Sequence, residues 1–116
     1  NESYVFFTPI EGDPHGSLNV PVTGNRSLAT DKRLFPRASI VFVEGKPDSG
    51  IPEGARVDHF MFDQDTGGAI RGVVRADFFW GFGPEAGREA GRMLQDGRMW
   101  LLWPTGEPLP TAPASP

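Results

Sequence analysis

Apolar residues come in short bursts along this chain, each closed by Gly, Pro or Asp, and the spacing is that of strands more than helices. Tyr4-Val5-Phe6-Phe7 is aromatic and β-branched, stops at Pro9 and predicts a strand. Residues 10–16 read as a loop, and 17–22 as a short extended piece that Pro21 confines to an edge or a bulge. Residues 38–43, led in by Pro36 and closed by Gly45-Lys46-Pro47, predict a second strand. A hairpin-like connection rich in Pro, Gly, Asp and Ser follows over 46–54. Residues 56–62 predict a third strand, ending where Asp63 opens an acidic segment, and 73–80 and 98–103 complete the set. One helix is expected near residues 84–96. Pro84 suits its first position, Glu85 its positive end, and Ala86, Ala90, Met93 and Leu94 share a face. Gly97 is expected to end it as a left-handed cap, and Gly87 and Gly91 to admit a close neighbour. The expectation is a mainly β domain over 1–103, a small barrel with one helix, and a Pro-rich disordered tail over 104–116.

Composition narrows the function. A chain of 116 residues fits one modest core, to which Phe 9 and Trp 3 bring large apolar surfaces. The net charge of −4 and pI near 5.0 argue against a nucleic-acid partner, which needs clustered Lys and Arg. With Cys 0 there are neither disulfides nor thiolate metal sites, and no apolar run reaches the ~18 residues of a membrane span. His15 and His59 lack metal-ligand spacing, so neither metal nor other cofactor is expected. The start at Asn1, without Met or a signal-like segment, is read as a processed product or a fragment.

The segment with most chemistry is Asp63-Gln64-Asp65-Thr66-Gly67-Gly68-Ala69-Ile70-Arg71-Gly72. A strand running into acidic and hydroxyl residues and then two glycines sets a carboxylate beside backbone N–H groups free to bind. In Ala76-Asp77-Phe78-Phe79-Trp80-Gly81 a single carboxylate is embedded among aromatics. Partial desolvation there would suit a general acid, and Trp80 could stack on a sugar ring; Asp77 could equally cap the turn before Gly81-Phe82-Gly83. Asp31, in Ser27-Leu28-Ala29-Thr30-Asp31, reads by itself as a surface turn. Arg71 and Arg75 could neutralise substrate carboxylates or be ordinary surface charges. Asp65-Thr66-Gly67 also matches the aspartic-protease triplet, but that class needs it directly after an apolar strand, and Asp63 and Gln64 are expected to interrupt the approach.

Together, Ser-Leu-Ala-Thr-Asp31, Asp65-Thr-Gly-Gly-Ala-Ile-Arg-Gly and Arg-Ala-Asp77-Phe-Phe-Trp-Gly resemble the three-aspartate domain of the membrane-bound lytic murein transglycosylase A family. Ser3-Tyr4-Val5-Phe6-Phe7, Gly83-Pro84-Glu85-Ala86-Gly87 and Gly97-Arg98-Met99-Trp100 look like its flanking blocks, so the resemblance spans about residues 1–104. It implies a double-psi β-barrel, catalysis by Asp77 with Asp65 in the same site, and substrate contacts by Asp31, Thr66, Gly67, Gly68, Arg71 and Trp80. It further implies peptidoglycan glycan strands as substrate, with cleavage that leaves 1,6-anhydromuramic acid. The expected partners are the rest of a larger enzyme, an N-terminal part and a second domain, in the periplasm or outer membrane of a Gram-negative bacterium. A non-catalytic polysaccharide-binding barrel, with Trp80, Trp100 and Trp103 as platforms, is the alternative.

Overall fold

In the computed structural model, residues 4–45, 57–93 and 96–111 are described. The described elements are β1 (Ser27–Ala29), β2 (Ile40–Gly45), β3 (Asp58–Asp65), β4 (Asp77–Phe78), α1 (Gly83–Arg92) and β5 (Gly97–Leu101). They form one five-stranded sheet in the order β4-β1-β3-β2-β5. β1 runs parallel to β3, and every other neighbouring pair is antiparallel. The parallel pair forces the chain to leave β1, build β2 on the far side of β3, and return, so the β1 to β2 connection crosses the end of β3. That crossing puts the ends of β1 and β3 side by side with the loops that follow them.

Alternation decides which face is buried. In β2, Val41 and Val43 point inward, and in β3 Met61 and Asp63 do the same. Val41, Val43 and Met61 form the core with Leu28 and Val57, and Ala76, Phe78, Trp80, Met93, Met99 and Leu101 pack against it. On the opposite face Phe42 and Phe60 meet edge to face with ring centres 5.1 Å apart. Phe60, Phe62 and Trp100 remain about half exposed there.

The mainly β class with one helix is as expected, but several elements differ from the pattern-based reading. Tyr4 to Phe7 form no strand: no neighbouring strand pairs with them among the described residues, and all four side chains are exposed. Strand propensity measures fit to a sheet surface, and without that surface it has nothing to act on. Residues 17–22 contribute only the His15 to Pro21 bridge. The second strand starts at Ile40 because Ala38 takes a left-handed backbone, φ 62°, while its N–H bonds the Asp63 carbonyl. The third strand continues through Asp63 and Gln64 to Asp65. From the 73–80 segment only Asp77 and Phe78 pair, since β1 offers just three residues to pair with. The 46–54 connection lies outside the described residues.

The helix stops at Arg92, where Met93 turns to an extended backbone, and Leu94 lies outside the described residues. Pro84 and Glu85 occupy the first turn as expected. Gly97 is no helix cap; it is the first residue of β5, where an added Cβ would strike the Glu44 carbonyl of β2. Among the described residues nothing approaches Gly87 or Gly91. Past β5, a turn forms from the Glu107 N–H to the Pro104 carbonyl, and the Trp103 indole N–H donates to the Pro108 carbonyl at 2.8 Å.

Candidate active site

The site is built where β1, β3 and β4 end together. Ala29 of β1 pairs with Asp65 of β3 on one side and with Asp77 of β4 on the other. Two lateral strand steps of ~4.8 Å put the two aspartate Cα atoms roughly 10 Å apart. Both line one cavity of about 240 Å³, with Ser27, Leu28, Thr66, Ile70 and Phe79 among its walls. The sequence-predicted pair is thereby brought together.

A bulge adjusts Asp65. Leu28 faces Asp63 but Ala29 faces Asp65, so Gln64 is an extra residue on β3. The extra residue is held by its side chain, which accepts the Ser27 hydroxyl, and by its carbonyl, which accepts the Leu18 N–H. Asp65 Oδ1 accepts the backbone N–H groups of Ser17, 3.0 Å, and Thr66, 2.8 Å. Its Oδ2 has no protein partner among the described residues. One oxygen thus fixes the carboxylate and the other is available.

Asp77 stands differently from the sequence expectation. Its side chain is half exposed, and the Arg75 Nε donates to Oδ1 at 3.2 Å. The expected aromatic enclosure fails because neighbours along a strand point to opposite faces: Phe78 packs toward Trp80, ring centres 5.9 Å apart, and Phe79 toward Phe82, 5.4 Å. Trp80 lies against the core, in a second depression with Ala76, Asp77, Phe78, Ala90 and Met93. Asp77 therefore borders both hollows, with Asp65 on one side and Trp80 on the other.

Asp31 is not a wall of the cavity. It is fully buried, where a surface turn was expected, and both its oxygens are occupied. The Arg33 guanidinium grips it as a fork at 3.0 and 2.7 Å, the Gly72 N–H donates at 3.0 Å, and Arg71 stands 3.7 Å away. The Arg33 hydrogen bond, followed by that of Gly72, holds its pKa far below the ordinary carboxylate range. A carboxylate so enclosed cannot touch a glycan directly; it pins the 66–72 loop through its last residue. That loop runs over the site. The Thr66 hydroxyl donates to the Thr30 carbonyl, Ile70 N–H bonds the Gly67 carbonyl, and the N–H groups of Gly67, Gly68 and Ala69 have no partner among the described residues. Space is open above Gly68, and Arg71 is half exposed beside it. The loop thus presents free backbone donors. His15 and His59 are engaged locally, with Asn19 and with the Asn25 carbonyl.

The burial of Asp63 escaped the sequence reading. Asp63 is 4% exposed and accepts the Thr30 hydroxyl at 2.6 Å. Burial pushes its pKa up to about 6, the Thr30 bond pulling the other way. Had the strand been carried on past Phe62, the alternation with Met61 would have turned Asp63 inward.

A family model described as the 3D domain matches residues 26–103. The chain is 36% identical over 105 residues to the membrane-bound lytic murein transglycosylase A of Escherichia coli K12, a match covering 88% of this chain and 28% of that protein. The lytic transglycosylase LtgG of Burkholderia pseudomallei is 44% identical with a TM-score of 0.72, covering 85% of this chain and 29% of that one. MltA from Neisseria gonorrhoeae superimposes with a TM-score of 0.76 at 34% identity, covering 90% and 26%. The chain thus spans under a third of the length of the relatives it matches. β3 is continuous to Asp65, so Asp63 and Gln64 do not break the strand; the ground against the protease reading is the family match over residues 26–103.

Proposed function

This chain belongs to the 3D domain family, and from that premise we propose that it is the aspartate-bearing part of a peptidoglycan lytic transglycosylase, with Asp77 as acid and then base. The observation that carries the proposal is the shared cavity of Asp65 and Asp77, centred on Ala29, within a chain homologous to murein transglycosylases.

The bond cut is the β-1,4 link between N-acetylmuramic acid and N-acetylglucosamine. Protonated Asp77 gives its proton to the glycosidic oxygen, and positive charge develops at the muramic C1 and ring oxygen. The free Oδ2 of Asp65 faces that charge as an anion, already fixed by the Ser17 and Thr66 amides and so needing no reorganisation. The Asp77 carboxylate then removes the proton of the C6 hydroxyl of the same sugar. That oxygen closes on C1, and the 1,6-anhydro ring forms without water. A glycan laid over Asp77 would displace the solvent that now reaches it and compete with Arg75 for Oδ1. The donors of Gly67, Gly68 and Ala69 and the Arg71 guanidinium suit the acetamido and carboxylate groups of murein, and Trp80 offers a ring face in the adjoining hollow.

The relatives are more than three times as long as this chain, and the remainder of such an enzyme would complete both barrel and groove. On this reading strands from that remainder join the sheet to close a double-psi barrel, and a second domain forms the opposite wall. The substrate puts such an enzyme in the periplasm or on the outer membrane of a Gram-negative cell. The half-exposed Trp100 favours a second reading, a polysaccharide-binding barrel without catalysis.

Mass spectrometry of muropeptides separates the two. Full-length protein should release 1,6-anhydro ends from murein sacculi, and Asp77→Asn should lower that rate by about 10²-fold or more. Anhydro ends appearing at the wild-type rate in the variant would overturn the assignment of Asp77; sacculi bound but uncut by the unmodified protein would favour the binding module.

A further inference from the structure

We propose that Asp63 is a positioning residue for Asp65, holding the joined ends of β1 and β3 through Thr30 and altering the field at Asp65 when it ionises. The proposal rests on the transglycosylase reading for its kinetic consequence and on geometry for its origin. Thr30 makes three links to three neighbouring positions of β3 and the loop beyond it. Its hydroxyl donates to Asp63 Oδ2 at 2.6 Å, its N–H donates to the Asp65 carbonyl at 3.3 Å, and its carbonyl accepts the Thr66 hydroxyl at 2.9 Å. Thr30 is 1% exposed and follows Ala29, the residue that both site aspartates face. Any shift of Thr30 therefore moves the backbone of Asp65, and with it the Thr66 amide that anchors the Asp65 carboxylate.

A buried carboxyl is a costly way to hold one threonine, since an asparagine or serine could accept the same bond. What distinguishes the carboxyl is that it titrates. The charged groups acting on it are Asp65, two residues along the same strand, and Arg37, on the loop leading into β2. Desolvation pushes its pKa up to about 6, Asp65 adds to the rise, and the Thr30 bond and Arg37 oppose it. Below that pH the buried carboxyl is neutral; above it a negative charge stands behind Asp65. Asp63 is not a wall of the cavity, so this change reaches the charge-developing step through Asp65.

The test uses the full-length protein with murein sacculi and compares wild type, Asp63→Asn, Thr30→Val and Thr30→Ser across pH. In the wild type kcat should carry an ionisation near pH 6. Asp63→Asn, which can still accept the Thr30 hydroxyl, should lose that ionisation with KM unchanged. Thr30→Val removes the bond that opposes the rise and should move the ionisation to higher pH, and Thr30→Ser, keeping a hydroxyl, should restore it. A readout independent of activity is the amide proton shift of Ser17 and Thr66, both donors to Asp65. These should follow the same step in wild type and not in Asp63→Asn. Identical pH profiles and identical amide titrations in wild type and Asp63→Asn would overturn the proposal. Amides that follow the step in a protein forming no anhydro ends would uphold the link between Asp63 and Asp65 and overturn the transglycosylase reading instead.

Discussion

Asp31 and Asp63 are both buried, and their surroundings give each a different task. Asp31 is held by an Arg33 fork and the Gly72 amide, so folding depresses its pKa. Its contribution to stability is full above the unfolded value of about 4 and is lost as pH falls toward the folded value. Asp63 has the opposite sign. Its folded pKa, about 6, lies above the ordinary aspartate value of about 4, so the folded state binds the proton more tightly and stability from this group falls as pH rises through that window. Two predictions follow from the signs. Asp31→Asn should lower the melting temperature at pH 7, and the deficit should shrink in acid, read by calorimetry. Between pH 4 and pH 7 the stability gap between Asp63→Asn and wild type should move in favour of the variant by on the order of 2 kcal/mol, read by urea denaturation at each pH. The tasks of these residues were unevenly legible. Asp65 and Asp77 stood out by context, whereas the burial of Asp31 and Asp63 depends on the parallel pairing of β1 with β3, which spacing along the chain does not display.

At the scale of elements, the same residue type plays contrasting parts in helix and strand. Gly97 sits where β5 passes so close to β2 that a Cβ would collide with the Glu44 carbonyl, a backbone atom that cannot step aside. Gly97→Ala should cost about 1–3 kcal/mol in chemical denaturation by forcing the edge strand away. Gly87, in the middle of α1 with nothing near it among the described residues, should behave in the reverse sense, and Gly87→Ala should stabilise by about 0.5–1 kcal/mol. A Gly97→Ala variant as stable as wild type would mean that β5 is not paired as described. The pattern of apolar bursts located β2, β3 and β5 to within a few residues. It erred at Tyr4 to Phe7, which pair with no strand among the described residues, and ran too long over 73–80, where Asp77 and Phe78 alone join a ladder.

For the molecule as a whole, the sheet ends at β4 and β5 among the described residues, and its aromatic outer face stays half exposed. The Asp65 and Asp77 cavity, about 240 Å³, is smaller than the space a disaccharide unit of murein needs for burial. The 116-residue chain supplied alone should accordingly release no 1,6-anhydro ends from sacculi at a concentration where the full-length protein digests them, checked by muropeptide mass spectrometry. Digestion by the isolated chain at the full-length rate would show that the site needs no opposing wall.

Sequence alone determined the chemistry available: which carboxylates, glycines and aromatics occur, in which local company, and hence the family and the mainly β class. Alternation and punctuation are local properties, and they survive without knowledge of the fold. Only the tertiary structure decided which carboxylates share a cavity and which are sealed inside. That outcome depends on a parallel pairing between β1 and β3, residues more than thirty positions apart, and on a one-residue bulge at Gln64. Register between distant strands is set by the summed packing of the whole sheet, and one step of slip exchanges its buried and exposed faces.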